Sequence, residues 1–170
     1  MRTTRPYAVV LAAAALVVGG WLLAFDGLGG VRQLPDVGYT LLDGTHASTG
    51  DLRGKVVLIN FWATDCVTCE HEMPQLAATY EKFRARGYET LAVATSHDRP
   101  EVVRSYAASR RLPFRVAHDR DGSVARTFGQ LQMTPTSLLV NRHGEIVKRY
   151  YGEPDFVALA KLVDELLAEG

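Results

Sequence analysis

Seven consecutive residues, Val56-Val57-Leu58-Ile59-Asn60-Phe61-Trp62, are aliphatic or aromatic apart from Asn60, and they follow Gly54-Lys55. A strand with one face in water alternates polar and apolar side chains, whereas a continuous run of this kind suits a strand buried on both faces. Such a strand needs layers of structure above and below it, which points to an α/β arrangement with this run at its centre. Directly after it, residues 63–74 open an amphipathic stretch in which Met73, Leu76, Ala77, Tyr80 and Phe83 recur at helical spacing. Arg84-Ala85-Arg86-Gly87 then supplies basic residues and a glycine where a helix stops. The central strand therefore turns straight into a helix, with Pro74 inside it as a source of bending. Both cysteines of the chain, Cys66 and Cys69, stand at that turn.

Other segments fill out the same pattern. Residues 34–42 and the turn Asp43-Gly44 predict a strand entering a hairpin, and the domain proper is expected over residues 35–170. Residues 88–95 predict a strand, and a helix follows with Pro100 in its first turn, a tolerated place. Residues 114–117 predict a short strand and residues 123–128 a helical piece ending at Gly129. Strands at 136–141 and 145–151 flank the compact turn Arg142-His143-Gly144, and residues 154–168 form a closing helix with Phe156, Leu159, Leu162, Val163, Leu166 and Leu167 on one side. Strands alternating with helices, then a hairpin and a last helix, indicate a mixed sheet with helices on both faces.

A length of 170 residues with 47% hydrophobic content allows one ordinary domain plus a short extension. Arg2 and Arg5 precede 19 uncharged residues, 7–25, enough helix at about 1.5 Å per residue to match a hydrocarbon core. The expectation is a cytoplasmic N-terminus at 1–6, a transmembrane anchor at 7–25 and a glycine-rich linker at 26–34, with the remaining domain outside the inner membrane, in the periplasm. The alternative is a cleaved signal peptide, since small residues occur at Ala24 and from Gly27 to Gly30. Past residue 25, 17 basic side chains face 19 acidic ones, so no nucleic-acid or acidic-lipid partner is expected.

Two cysteines in one Cys-x-x-Cys leave none for a structural disulfide framework or a Cys₄ zinc site. At a helix start, unsatisfied backbone N–H groups and the positive end of the dipole favour the thiolate of the first cysteine, the form that attacks disulfides. Cys66 is therefore the candidate nucleophile and Cys69 the resolving thiol, with no cofactor beyond the cysteine pair. A covalent haem site needs histidine directly after the second cysteine, where Glu70 stands before His71. The other histidines, 46, 97, 118 and 143, are scattered and read as polar surface residues.

The string Asn60-Phe61-Trp62-Ala63-Thr64-x-Cys66-x-x-Cys69-x-x-Glu72-Met73-Pro74, with Met133-Thr134-Pro135-Thr136 before the last hairpin, resembles the membrane-anchored thioredoxin-like oxidoreductases of the TlpA and ResA type over residues 35–168. The resemblance implies a thioredoxin-like fold with an added N-terminal hairpin and a helix and strand inserted at residues 97–129. It also implies a cis bond before Pro135, close to the cysteines, with the Thr134 backbone pairing to an extended substrate segment and Trp62 beside the site. Glu72 matches a glutamate of the ResA-type active site. Asn60 stands where thioredoxin has a buried acid, so that proton relay is absent. Implied partners are disulfide-bonded proteins, for example apocytochromes or copper-site proteins, and a membrane donor that keeps the dithiol reduced.

Asp65 departs from the family, which usually has tryptophan there. A carboxylate beside Cys66 disfavours its thiolate, and as a helix cap it would compete for the N–H of Val67 or Thr68. Both effects favour a reducing enzyme. Glu72 lies three residues after Cys69 on its helix face, where it can exchange protons, although Glu70 competes for that role and a solvated surface carboxylate is the plain alternative. A different class of function uses the same thiols: a Cu(I) carrier holding the metal with Cys66, Cys69 and Met133, since soft sulfur ligands select Cu(I).

Overall fold

The computed structural model describes residues 32–129, 131 and 133–169. Val56–Trp62 forms β4, every residue of it buried. It pairs in parallel with β5, Tyr88–Ala94, and antiparallel with β7, Thr136–Val140. Outside these lie β6, Arg115–His118, parallel to β5, and β8, Glu145–Tyr151, antiparallel to β7. A two-residue strand, β1, Arg32–Gln33, closes the far edge against β8, giving the order β1-β8-β7-β4-β5-β6. β1 lies inside the stretch expected to be linker. The expected N-terminal hairpin is β2, Gly38–Thr40, with β3, His46–Ser48.

Alternation along β4 sorts the core into two layers. Val56, Leu58 and Trp62 meet helix α1, Val67–Phe83, together with α2, Pro100–Arg110, and α4, Phe156–Ala168. Val57, Ile59 and Phe61 meet the opposite layer, built from Tyr39, Leu52 and the short helix α3, Ser123–Thr127. This is a thioredoxin-like mixed α/β fold, with α2, β6 and α3 as the insert. Asn60 shares the parity of Leu58 and Trp62, so its side chain points toward α1. Helix α1 runs through Pro74 and on to Phe83, and after one 3₁₀ turn Gly87 adopts φ 94°, a left-handed conformation that glycine takes without a Cβ clash.

One expectation is corrected. Among the described residues no helix is long and apolar enough to cross a membrane. The longest, α1, has 17 residues and carries charged side chains, whereas a span takes about 20 predominantly apolar residues. The transmembrane helix, the membrane tether and the single-pass inner-membrane placement are therefore withdrawn. Residues 7–25, on which they rested, lie outside the described residues.

Candidate active site

β4 delivers the chain to the site. Past Trp62, the turn Ala63-Thr64-Asp65 leads to Cys66, whose extended backbone (φ −89°, ψ 106°) makes it the N-cap of α1. Its sulfur accepts the N–H of Cys69 at 3.2 Å. One of the orphan donors of the helix start thus points at this sulfur, and the dipole adds to its preference for negative charge. Cys66 and Cys69 are joined in a disulfide. The two sulfurs differ in access, because Cys66 is partly exposed whereas Cys69 is fully buried.

Three residues after Cys69 on the same helix stands a carboxyl group with no contact with water. Glu72 is 0% exposed, on the buried stripe of α1 that also holds Cys69, Met73 and Leu76. Asn60 Nδ2 donates to Glu72 Oε1 at 2.7 Å and to Ser137 Oγ at 3.0 Å, while Glu72 Oε2 and Asn60 Oδ1 have no hydrogen-bond partner. Burial pushes Glu72 up to about 7, the charge of Glu153 adds to the rise, and the Asn60 hydrogen bond opposes it. Near neutral pH the group is therefore divided between acid and carboxylate. Glu70 instead faces outward and pairs with Arg110 of α2.

Asp65 does not cap the helix, since Cys66 holds that position. Its Oδ2 lies 3.0 Å from His97 Nε2, with the two side chains 66% and 72% exposed, a solvated pair of small energetic weight. Trp62 offers a substrate no surface: it is fully buried, with its ring tilted 46° against that of Tyr106 of α2 and the centroids 5.0 Å apart. The Thr134–Pro135 peptide is cis, and Pro135 is buried. Thr136 pairs with Phe61, which brings Pro135 to the end of β4 from which the cysteines emerge, and the Pro135 carbonyl accepts the N–H of Gly152 at 2.9 Å. Among the described residues no group of three or more His, Cys, Asp or Glu side chains is arranged to hold a metal ion.

A model of the redoxin family matches residues 31–163. The chain belongs to the redoxin family. Within this family it is 32% identical over 122 residues to the thiol-disulfide oxidoreductase ResA of Bacillus thuringiensis subsp. konkukian, covering 72% of this chain and 69% of that one. The solution structure of a candidate thioredoxin from Neisseria meningitidis is 40% identical, with a TM-score of 0.75 over 82% of this chain and 92% of that one. The thioredoxin domain of a thiol-disulfide oxidoreductase from Bacteroides vulgatus gives 26% identity and a TM-score of 0.71 over 82% and 99%. This redoxin is a ResA- and TlpA-like thiol-disulfide oxidoreductase, and the Cys66–Cys69 disulfide is its redox element.

The burial of Glu72 and its contact with Asn60 go beyond what spacing alone gives. The signal was present, since Asn60 is the one polar residue of β4 and shares the parity of Trp62. His97, read as scattered, faces Asp65 across a loop that no periodicity predicts.

Proposed function

We propose that this redoxin reduces disulfide bonds in partner proteins, with Cys66 as nucleophile and Cys69 as the resolving thiol. The observation that supports this most directly is the asymmetry of the pair, one cysteine partly exposed at a helix cap and the other fully buried. The Cys66 thiolate attacks a substrate sulfur, forming a mixed disulfide and expelling the other substrate sulfur as a thiolate that takes up a proton. Cys69 then loses its proton and attacks Cys66, which closes the intramolecular disulfide and releases the second substrate thiolate. Two electrons pass from the dithiol to the substrate.

Glu72, near half-protonation at neutral pH, accepts the Cys69 proton in this scheme. The Thr134 backbone beside Pro135 pairs with an extended substrate segment, and the exposed Val67 (82%) and Met133 (51%) offer apolar contact. Asp65, next in sequence to Cys66, weights the pair toward the reductant by disfavouring the thiolate.

The test is insulin reduction together with trapping of a mixed disulfide in Cys69→Ser. Turnover, a trapped partner and a midpoint potential near or below about −270 mV are expected. A potential near −120 mV reverses the direction of electron flow and contradicts the role given to Asp65. Tight stoichiometric Cu(I) binding without turnover would return the carrier function instead.

A further inference from the structure

The loop between β5 and α2 grips the turn that carries Cys66. Asp98, only 9% exposed, directs both carboxylate oxygens at one residue: Oδ2 accepts the backbone N–H of Thr64 at 2.9 Å and Oδ1 accepts its hydroxyl at 2.5 Å. The loop is itself fixed from behind. The Asp98 N–H donates to the Thr95 carbonyl at 3.2 Å, and the Asp98 carbonyl accepts from His118 Nε2 at 3.0 Å, so that ring nitrogen carries the proton. His97, the preceding residue, meets Asp65. Two adjacent loop residues thus contact the two residues immediately before Cys66, the buried Asp98 firmly and the exposed His97 weakly.

We infer that Asp98 is a positioning residue for the redox reaction, acting through Thr64 to hold Cys66 at the helix cap. The inference rests on Cys66 being the nucleophile. Cys66 N–H donates to the Ala63 carbonyl at 3.3 Å, and its sulfur depends on the Cys69 N–H, so its placement is set by the turn at both ends. A carboxylate that accepts both donors of Thr64 fixes that residue more firmly than either bond alone and leaves its own oxygens satisfied. Both Asp98 oxygens engage Thr64 rather than a cysteine sulfur. Its contribution is geometric, and displacements near 1 Å at a reacting atom lower rates by about 100-fold.

Charge and geometry make opposite predictions here. Asp98→Asn removes a negative charge close to Cys66, which alone would favour the thiolate and speed its alkylation. If Asp98 positions the turn, the same substitution slows alkylation, because the amide has one acceptor oxygen where the carboxylate has two and meets Thr64 only through weaker neutral hydrogen bonds. The test uses the full chain in the Cys69→Ser background for iodoacetamide alkylation of Cys66 across pH, and the two-cysteine protein for insulin turnover. Asp98→Asn and Thr64→Val are expected to lower kcat roughly 10- to 100-fold with KM within about twofold. Thr64→Val is also expected to displace the alkylation profile upward by about half a pH unit, a threefold loss of thiolate at pH 7. Thr64→Ser, which keeps the hydroxyl, restores both. Should Asp98→Asn not fold, Thr64→Val is nearly isosteric and carries the same test.

Faster alkylation in Asp98→Asn, or kcat and profiles unchanged in folded variants, overturns the positioning role while leaving the nucleophile assignment intact. An unreactive Cys66 in the Cys69→Ser parent overturns both.

Discussion

Two carboxylates flank the cysteine pair, Asp65 one residue before Cys66 and Glu72 three residues after Cys69, and the fold treats them in opposite ways. Asp65 sits on the rim, two-thirds exposed beside a solvated His97, where water and salt screen what its charge can do. Glu72 is enclosed in the core layer of α1, held by one hydrogen bond from Asn60, and displaced to about 7. The same functional group thus stands in water on one side and in the core on the other, and under the proposed function these settings make Asp65 a weak field and Glu72 a proton store. Environment rather than distance along the chain separates the two.

Substitutions can break that comparison or sharpen it. The largest effect belongs to the proposed nucleophile: Cys66→Ser is expected to reduce insulin turnover to background, while Cys69→Ser retains the first attack and accumulates mixed disulfide on a non-reducing gel. Next, Glu72→Gln is expected to lower kcat by about 100-fold, the lower end for a positioned proton-transfer group, and to erase the limb of the pH–rate profile near 7. If Asp65→Asn slowed turnover as much, the division between store and field would fail.

Glu72 also predicts how stability follows pH. Its folded value lies above that of the unfolded chain, so its contribution is fully present below about pH 4.5 and is lost as pH rises through about 7. For the oxidised protein that is a loss of about 3 kcal/mol over the interval, taking about 1.4 kcal/mol per unit, and urea titrations of Glu72→Gln should show it gone. Asn60→Ala removes the bond that holds the value down, and the kinetic limb is expected to move up by about one unit, the worth of one hydrogen bond. The smallest effect is on the rim. Asp65→Trp should lower the Cys66 value in a thiolate-absorbance titration by less than about one unit, within the range of exposed charge pairs, and a rise would contradict the assigned sign.

Much of the architecture was legible in the residues. The run of β4 announced a strand buried on both faces, the spacing from Met73 to Phe83 announced α1, and Gly87 marked its end, because backbone sterics and burial act locally in those stretches. Cys66 and Cys69 were legible for the same reason, since a helix start after a strand is a local feature. What stayed hidden depends on contacts far apart in the chain. Spacing puts Glu72 on the face of Cys69 but leaves a solvated carboxylate as the alternative, and its enclosure emerges only when α1 is docked with that face against Asn60, 12 residues earlier, and Ser137 behind it. The two-residue β1 carries too little pattern to see, and forms only because β8 offers an edge. Asp65 has the composition of a helix cap, yet Cys66 takes that position.

The slot that holds Glu72 has a consequence for how such a chain changes over generations. It lies on the apolar stripe of α1 between Cys69 and Met73, so a leucine or methionine there would fill the same space without a carboxyl to dehydrate. At neutral pH such a replacement should make the domain more robust to heat and denaturant even as it removes the proposed proton acceptor. Library screens that reward folding alone would drive this acid out, and screens that reward electron transfer would keep it, so the identity of one enclosed side chain would record which pressure a population had faced.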